Sequence, residues 1–178
     1  MDANLGIRLM TSSNTGGWRN FASTKREIRT PQDIKNQKIR TITAPLQQEL
    51  VRQLGGNPTP ISWSEVYTAL ATGVVDGTKN GIHDIVSMLL HEQIKFVTLD
   101  GHAYMGGLWW YSEKSWNKLS PEYQNLMLEG FQRLKTTTLN SIKRLVADSY
   151  LVFDQPGGRI FVPDPRELHM FSNAVNGM

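Results

Sequence analysis

Cysteine is absent from the 178 residues, which excludes disulfides, thiolate metal centres and a cysteine nucleophile. No apolar run approaches the length of a bilayer span. Charge of one sign is not concentrated either. Lys and Arg number 19 against 16 Asp and Glu, leaving a formal +3 spread along the chain, so a solvated basic surface is the plainer reading and nucleic-acid binding is weakly supported. The nearest of the four histidines, His83 and His91, would fall two turns apart on a helix, which is not a metal-ligating spacing. There is no G-x-S-x-G elbow, no P-loop and no G-x-G-x-x-G. An enzyme is disfavoured on these grounds, and no cofactor is expected.

What is present is an ordinary globular composition, 39% hydrophobic and 20% charged, in a length that suits one domain with a real core. Strands and helices alternate along it. Residues 5–10 read as a short strand and 12–17 (SSNTGG) as a flexible loop. Thr30-Pro31-Gln32-Asp33 spells a helix start. A strand at Lys38 to Thr43 precedes a helix opened by Pro45, with Leu46, Leu50, Val51 and Leu54 on one face. A short strand before Pro60 leads to Ser62-Trp63-Ser64-Glu65, a capping-box pattern in which Ser62 should accept from a backbone N–H near Glu65. VVDG reads as a strand that breaks at Gly77, and Ile82 to His91 as an amphipathic helix. Such alternation argues for βαβ units and a mostly parallel sheet flanked by helices.

After Lys95 the pattern changes. KFVTLD and AYMGGLWWYS read as two extended segments, and Ser120-Pro121 opens a helix whose Tyr123, Leu126, Met127, Phe131, Leu134, Ile142, Leu145 and Val146 keep a helical beat for roughly seven turns. Arg159 to Val162 reads as a strand, and Pro165 starts a last helix that is cut short at Gly177-Met178.

In open α/β sheets ligands collect beyond the carboxyl ends of the strands, where the pattern places Arg40 and Asn80. A guanidinium matches a carboxylate with two parallel hydrogen bonds. The plainer alternative for Arg40 is an exposed arginine at a strand end.

The residues also carry a resemblance. STKREIRTPQDIKNQKIR, then GGNPTPISWSEVYTALATGVVDG, then Asn80, in this order, resemble the substrate-binding proteins of tripartite ATP-independent periplasmic (TRAP) transporters, the DctP-like family. The likeness runs from about Gly17 to the helix after Ser120 and corresponds to the second part of such a protein. It implies an α/β, periplasmic-binding-protein-like lobe at about 17–100, hinge strands and a long bracing helix at about 101–153, and a C-terminal strand and helix at 154–178. It also implies a small organic acid such as a C4-dicarboxylate as ligand, TRAP membrane subunits as partners and a periplasmic location. Met1, Asp2 and Asn4 do not look like a signal peptide, so the chain as written is expected to stay in the cytoplasm, either as a piece of a longer protein or as a shortened gene product. A lone second lobe is expected to bind acids feebly and to expose apolar surface that could drive homo-oligomerisation.

By the resemblance, Arg40 matches the arginine that clamps the substrate carboxylate, Arg19 a second arginine, Asn80 an amide donor, and Trp63 the aromatic residue that packs on the ligand's carbon skeleton. Thr43 lies near Arg40 and offers a hydroxyl. Surface placement for Arg19 and simple packing for Trp63 stand beside these roles. The family's VDGQENP is VDGTKNG here, and Lys79 either favours a doubly charged ligand or faces water. Of Trp109 and Trp110, one should face the cleft and the other away. The competing classes are a ligand-sensing regulatory module of similar two-lobed fold, a truncated fragment that binds nothing, and a small enzyme anchoring its substrate on Arg40.

Overall fold

The computed structural model describes residues 5–176. A single six-stranded sheet runs in the order β3-β2-β4-β1-β5-β6, built from β1 (Ile7–Ser23), β2 (Lys38–Thr41), β3 (Asn57–Pro60), β4 (Gly77–Asn80), β5 (Phe96–Ser112) and β6 (Arg159–Phe161). β2 pairs in parallel with β3 and β4, β5 pairs in parallel with β6, and β1 alone runs against its neighbours β4 and β5. The sheet is thus mostly parallel, as expected. β3 carries Pro58 and Pro60, which lack a donor N–H and suit its place at the edge.

Helices α1 (Pro31–Ile34), α2 (Pro45–Gln53), α3 (Val66–Ala71), α4 (Ile82–Ser87), α5 (Glu113–Trp116), α6 (Pro121–Asp154) and α7 (Pro165–Ala174) complete the chain. Consecutive residues Phe21 and Ala22 point to opposite faces of the sheet, and each anchors a core. Ala22 joins Val66, Leu70, Ile82, Ile85, Val97 and Phe153. Phe21 joins Ile34, Ile39, Val51, Leu54 and Phe171 on the other face.

Several local expectations give way to tertiary pairing. The segment 12–17 is not a loop: it lies within β1, whose 17 residues pair with an equally long β5. Pairing with β5 is interrupted between Asn14 and Gly17 by a bulge, closed by Asn14 Oδ1 accepting the N–H groups of Gly16 and Gly17 at 3.1 and 2.7 Å. The two segments expected after Lys95 are one strand, carried through Gly101 at a φ of 58° that glycine adopts readily. VVDG is not the strand, since β4 begins at Gly77, where the strand was expected to break. Asp76 sits before it as a junction, its N–H donating to the Lys38 carbonyl at 2.7 Å and its carboxylate accepting the Lys38 N–H at 2.8 Å.

β2 ends at Thr41, two residues early, and Ile42 and Thr43 are exposed. Ser62 makes no side-chain cap: its hydroxyl donates to the Glu65 carboxylate at 2.5 Å, and a 3-10 turn over Trp63–Glu65 precedes α3. α4 stops at Ser87 instead of reaching His91, because Leu89 turns left-handed at a φ of 57° before a short 3-10 turn over Leu90–Glu92. Leu46 is exposed while Val51 and Leu54 carry the buried face of α2.

The long helix is present as written, with Ser120 Oγ accepting the Tyr123 N–H at its start. Of its expected apolar stripe, Tyr123 and Leu126 are exposed, and its buried anchors are Ser149 and Phe153. β6 ends one residue short of Val162, and the expected stop at Gly177-Met178 lies outside the described residues.

Candidate functional site

Parallel strands β2 and β4 present their carboxyl ends at the same side of the sheet. Ile39 lies beside Gly77 in register, so Arg40 and Asn80 leave the sheet on one face and Lys79 on the other, by strand alternation. The pairing of Asn20 with Asn80 brings β1 past this edge, and with it Arg19.

Arg40 is buried, 3% exposed. Its Nε–H donates to the Ile61 carbonyl at 3.0 Å, and its Cζ lies 5.3 Å from the centre of the Trp63 ring. Carbonyl and indole together fix the orientation of the fork. Among the described residues no carboxylate forms an ion pair with it. Burial, and then the charge of Arg19, hold the Arg40 guanidinium below its ordinary pKa.

Arg19 is half-buried and donates Nε–H to the Lys79 carbonyl at 2.9 Å. Burial lowers its pKa and the nearby Asp84 works the other way. Asn80, 4% exposed, accepts the Thr78 hydroxyl at 2.7 Å on Oδ1 and donates Nδ2–H to Asp84 Oδ2 at 3.3 Å. Its amide is therefore oriented by protein groups on both sides. Asp84 escaped the sequence reading because its role depends on the α4 N-terminus packing against the end of β4. Thr43 is exposed on the connection beyond β2, and its carbonyl accepts Gln48 Nε2–H at 3.1 Å.

Lys79 does not face water. It is 2% exposed, and its ammonium donates to Gln47 Oε1 on α2. Burial first, then the charges of Arg19 and Arg40, bring its pKa down to about 7, against the opposing pull of Asp100. Trp109 turns toward α6, donating Nε1–H to Ser13 Oγ at 2.9 Å and lying 6.4 Å from the Phe131 ring, yet both it and Trp110 are exposed.

A cavity of about 500 Å³ lies away from Arg40, between α2, α7 and β5, walled by Leu50, Leu54, Leu168 and Phe171 with His102 and Asp100 at one side. It offers space but little charge. The cationic strand ends have the chemistry for an acid: two guanidiniums, one ammonium, an oriented amide and an aromatic face.

The sequence profile of the bacterial extracellular solute-binding proteins of family 7, DctP, matches residues 1–178. The chain is 33% identical over 132 residues to the 2,3-diketo-L-gulonate-binding periplasmic protein of Escherichia coli, covering 74% of this chain and 39% of that protein. It is 35% identical over 122 residues to the ectoine-binding periplasmic protein of Halomonas elongata, covering 68% and 36%. Among solved structures, a TRAP periplasmic solute-binding protein from Roseobacter denitrificans with bound β-D-glucuronate superposes with a TM-score of 0.88 at 27% identity, over 96% of this chain and 56% of that one. The chain therefore spans well under half the length of these two curated relatives and just over half of that structure. With a sheet of matching topology and a profile match along its entire length, the chain belongs to family 7 of the bacterial extracellular solute-binding proteins, the DctP family of TRAP periplasmic solute-binding proteins.

Proposed function

We propose that this chain supplies the carboxylate-recognising half of a TRAP transporter's substrate-binding component, which captures an organic acid in the periplasm and delivers it to membrane subunits. The observation that carries this reading is the buried Arg40 fork, held by Ile61 and Trp63 and without a carboxylate partner among the described residues. The ligand's carboxylate accepts from Arg40, Arg19 adds a second charge, Asn80 donates to a further oxygen, and Trp63 covers the carbon skeleton. Thr43 offers a hydroxyl at the rim.

In this reading residues about 17–100 form the ligand-bearing lobe. The paired long strands with α6, about 101–153, link it to an opposing lobe, and 154–178 pack back as a C-terminal strand and helix. Closure of the opposing lobe excludes water and raises affinity, because the ligand touches both lobes only when they are shut. The work is binding, with no bond made or broken. Relatives named for ectoine and sialic acid, and a similar structure with bound β-D-glucuronate, support a class wider than dicarboxylates. Self-association forms no part of this reading.

The test is an NMR titration of the chain with D-glucuronate, a method that senses millimolar affinity. Shifts should concentrate at Arg40, Arg19 and Asn80 and vanish in Arg40→Ala. Shifts elsewhere, or unchanged in that variant, overturn the reading.

A further inference from the structure

The third cation at the strand ends is the feature that the carboxylate clamp leaves unexplained. Lys79 sits beside Phe21 across the β1–β4 pair, 2% exposed, and its ammonium is bonded to the neutral amide oxygen of Gln47. The charged groups facing it are Arg19 from β1, Arg40 from β2 and Asp100 from β5, while α2 contributes Gln47. Asp100 does not pair with it: Oδ1 accepts the Phe21 N–H at 2.8 Å and Oδ2 is bonded to His102 Nδ1 at 2.6 Å. Asp84, the other acid near these cations, bonds Asn80. At these strand ends the buried Arg40 and Lys79, on opposite faces of the sheet, and the half-buried Arg19 between them form no ion pair among the described residues.

We propose that Lys79 is a specificity-determining residue of the Arg40 site, selecting purely anionic acids against zwitterions by placing a third positive charge at the strand ends. The proposal rests on the carboxylate reading above. A buried ammonium without a counter-charge is costly. A ligand that brings only negative charge relieves this cost, whereas one carrying an ammonium or amidinium group beside its carboxylate adds a fourth like charge. Discrimination then comes from repulsion of the wrong ligand as much as from attraction of the right one. With its pKa near 7, Lys79 gains its proton when an anion arrives, so selection is sharpest at slightly acidic pH.

Succinate and β-alanine test this, since they have closely similar carbon skeletons and differ in a terminal carboxylate against a terminal ammonium. Both are titrated by NMR into the chain, into Lys79→Met and into Arg40→Ala. The wild-type chain should favour succinate, and Lys79→Met should shrink the preference about tenfold by weakening succinate and strengthening β-alanine. Raising the pH from about 6.5 to about 8.5 should shrink it in the wild type and leave Lys79→Met unmoved. If Lys79→Met keeps the wild-type ratio while Arg40→Ala loses both probes, this proposal fails and the carboxylate reading stands. If neither probe shifts the wild-type spectrum at the strand ends, both fail together.

Discussion

The guanidinium of Arg40 lies 5.3 Å from the centre of the Trp63 indole, one side of its fork tied to the Ile61 carbonyl. Neither residue is held this way by its neighbours in sequence. The geometry arises because the Arg40 side chain reaches the turn that follows β3, where Ile61 and Trp63 cover it.

Arg40→Ala should therefore remove binding of acids. In a closed, desolvated cleft the loss is about 3–5 kcal/mol. Arg40→Lys should also fall well short of the wild type, because an ammonium cannot offer the planar pair of donors. Trp63→Ala should cost less, about 1 kcal/mol of cation–π and stacking contact. Titration with D-glucuronate measures all three, and equal affinity for Arg40→Lys and wild type would show that the fork is not used as a pair.

Lys79 sets a pH slope on folding. Its pKa is about 7 in the folded protein and about 10.4 in an unfolded chain. Between these values the unfolded chain holds a proton that the folded one lacks, so stability rises with pH from about 7 toward about 10, by at most about 1.4 kcal/mol per unit. Lys79→Met should be more stable than the wild type at neutral pH and should lack this component of the slope. Urea midpoints for the two proteins across that window decide it, and parallel curves would mean that the ammonium is not buried.

Asp76 is a structural junction. Burial opposes its ionisation, but the Lys25 ammonium at 2.7 Å and the Lys38 N–H prevail and hold its carboxyl below the usual range. Its contribution is present above the ordinary carboxylate pKa and is lost as pH falls through the lowered folded value. Asp76→Ala strands the part-buried Lys38 N–H and should cost about 1–3 kcal/mol near pH 7, with a shrinking difference from wild type in strong acid. A denaturant midpoint equal to wild type at neutral pH would contradict this role.

Gly77 tolerates no side chain. A Cβ there would lie 2.3 Å from the Ala22 carbonyl oxygen, which is backbone of the neighbouring strand and cannot swing aside. Gly77→Ala should lower the thermal midpoint by many degrees, since the β1–β4 pairing beside the site must open to admit it. An unchanged melting curve would show that the two strands are held less tightly.

Much of this was legible in the chain itself. Thr30 with Pro31, Pro45 and Ser120 with Pro121 mark helix starts by chemistry that acts within four residues, and each helix begins where its signal stands. Arg40 at the end of β2 was legible too, because Lys38-Ile39-Arg40 is a strand whichever neighbour it pairs with. The polar segment 12–17 misled because its partner, residues 105–108 of β5, lies some ninety residues away in sequence. β4 was misplaced because three of its four residues, Gly77, Lys79 and Asn80, are of types depleted in strands. Its backbone is ordered by β1 on one side and β2 on the other.

Local sequence thus determined the starts of α1, α2 and α6, the alternation that makes the sheet mostly parallel, and the placing of a guanidinium at a strand end, all of which depend on short-range hydrogen bonding and side-chain periodicity. Tertiary structure alone decided the length of β1 and β5, the burial of Lys79 and the partners of Asn80. Those depend on which distant segments share a hydrogen-bond ladder, and on what charge is left unpaired once water has been excluded between them.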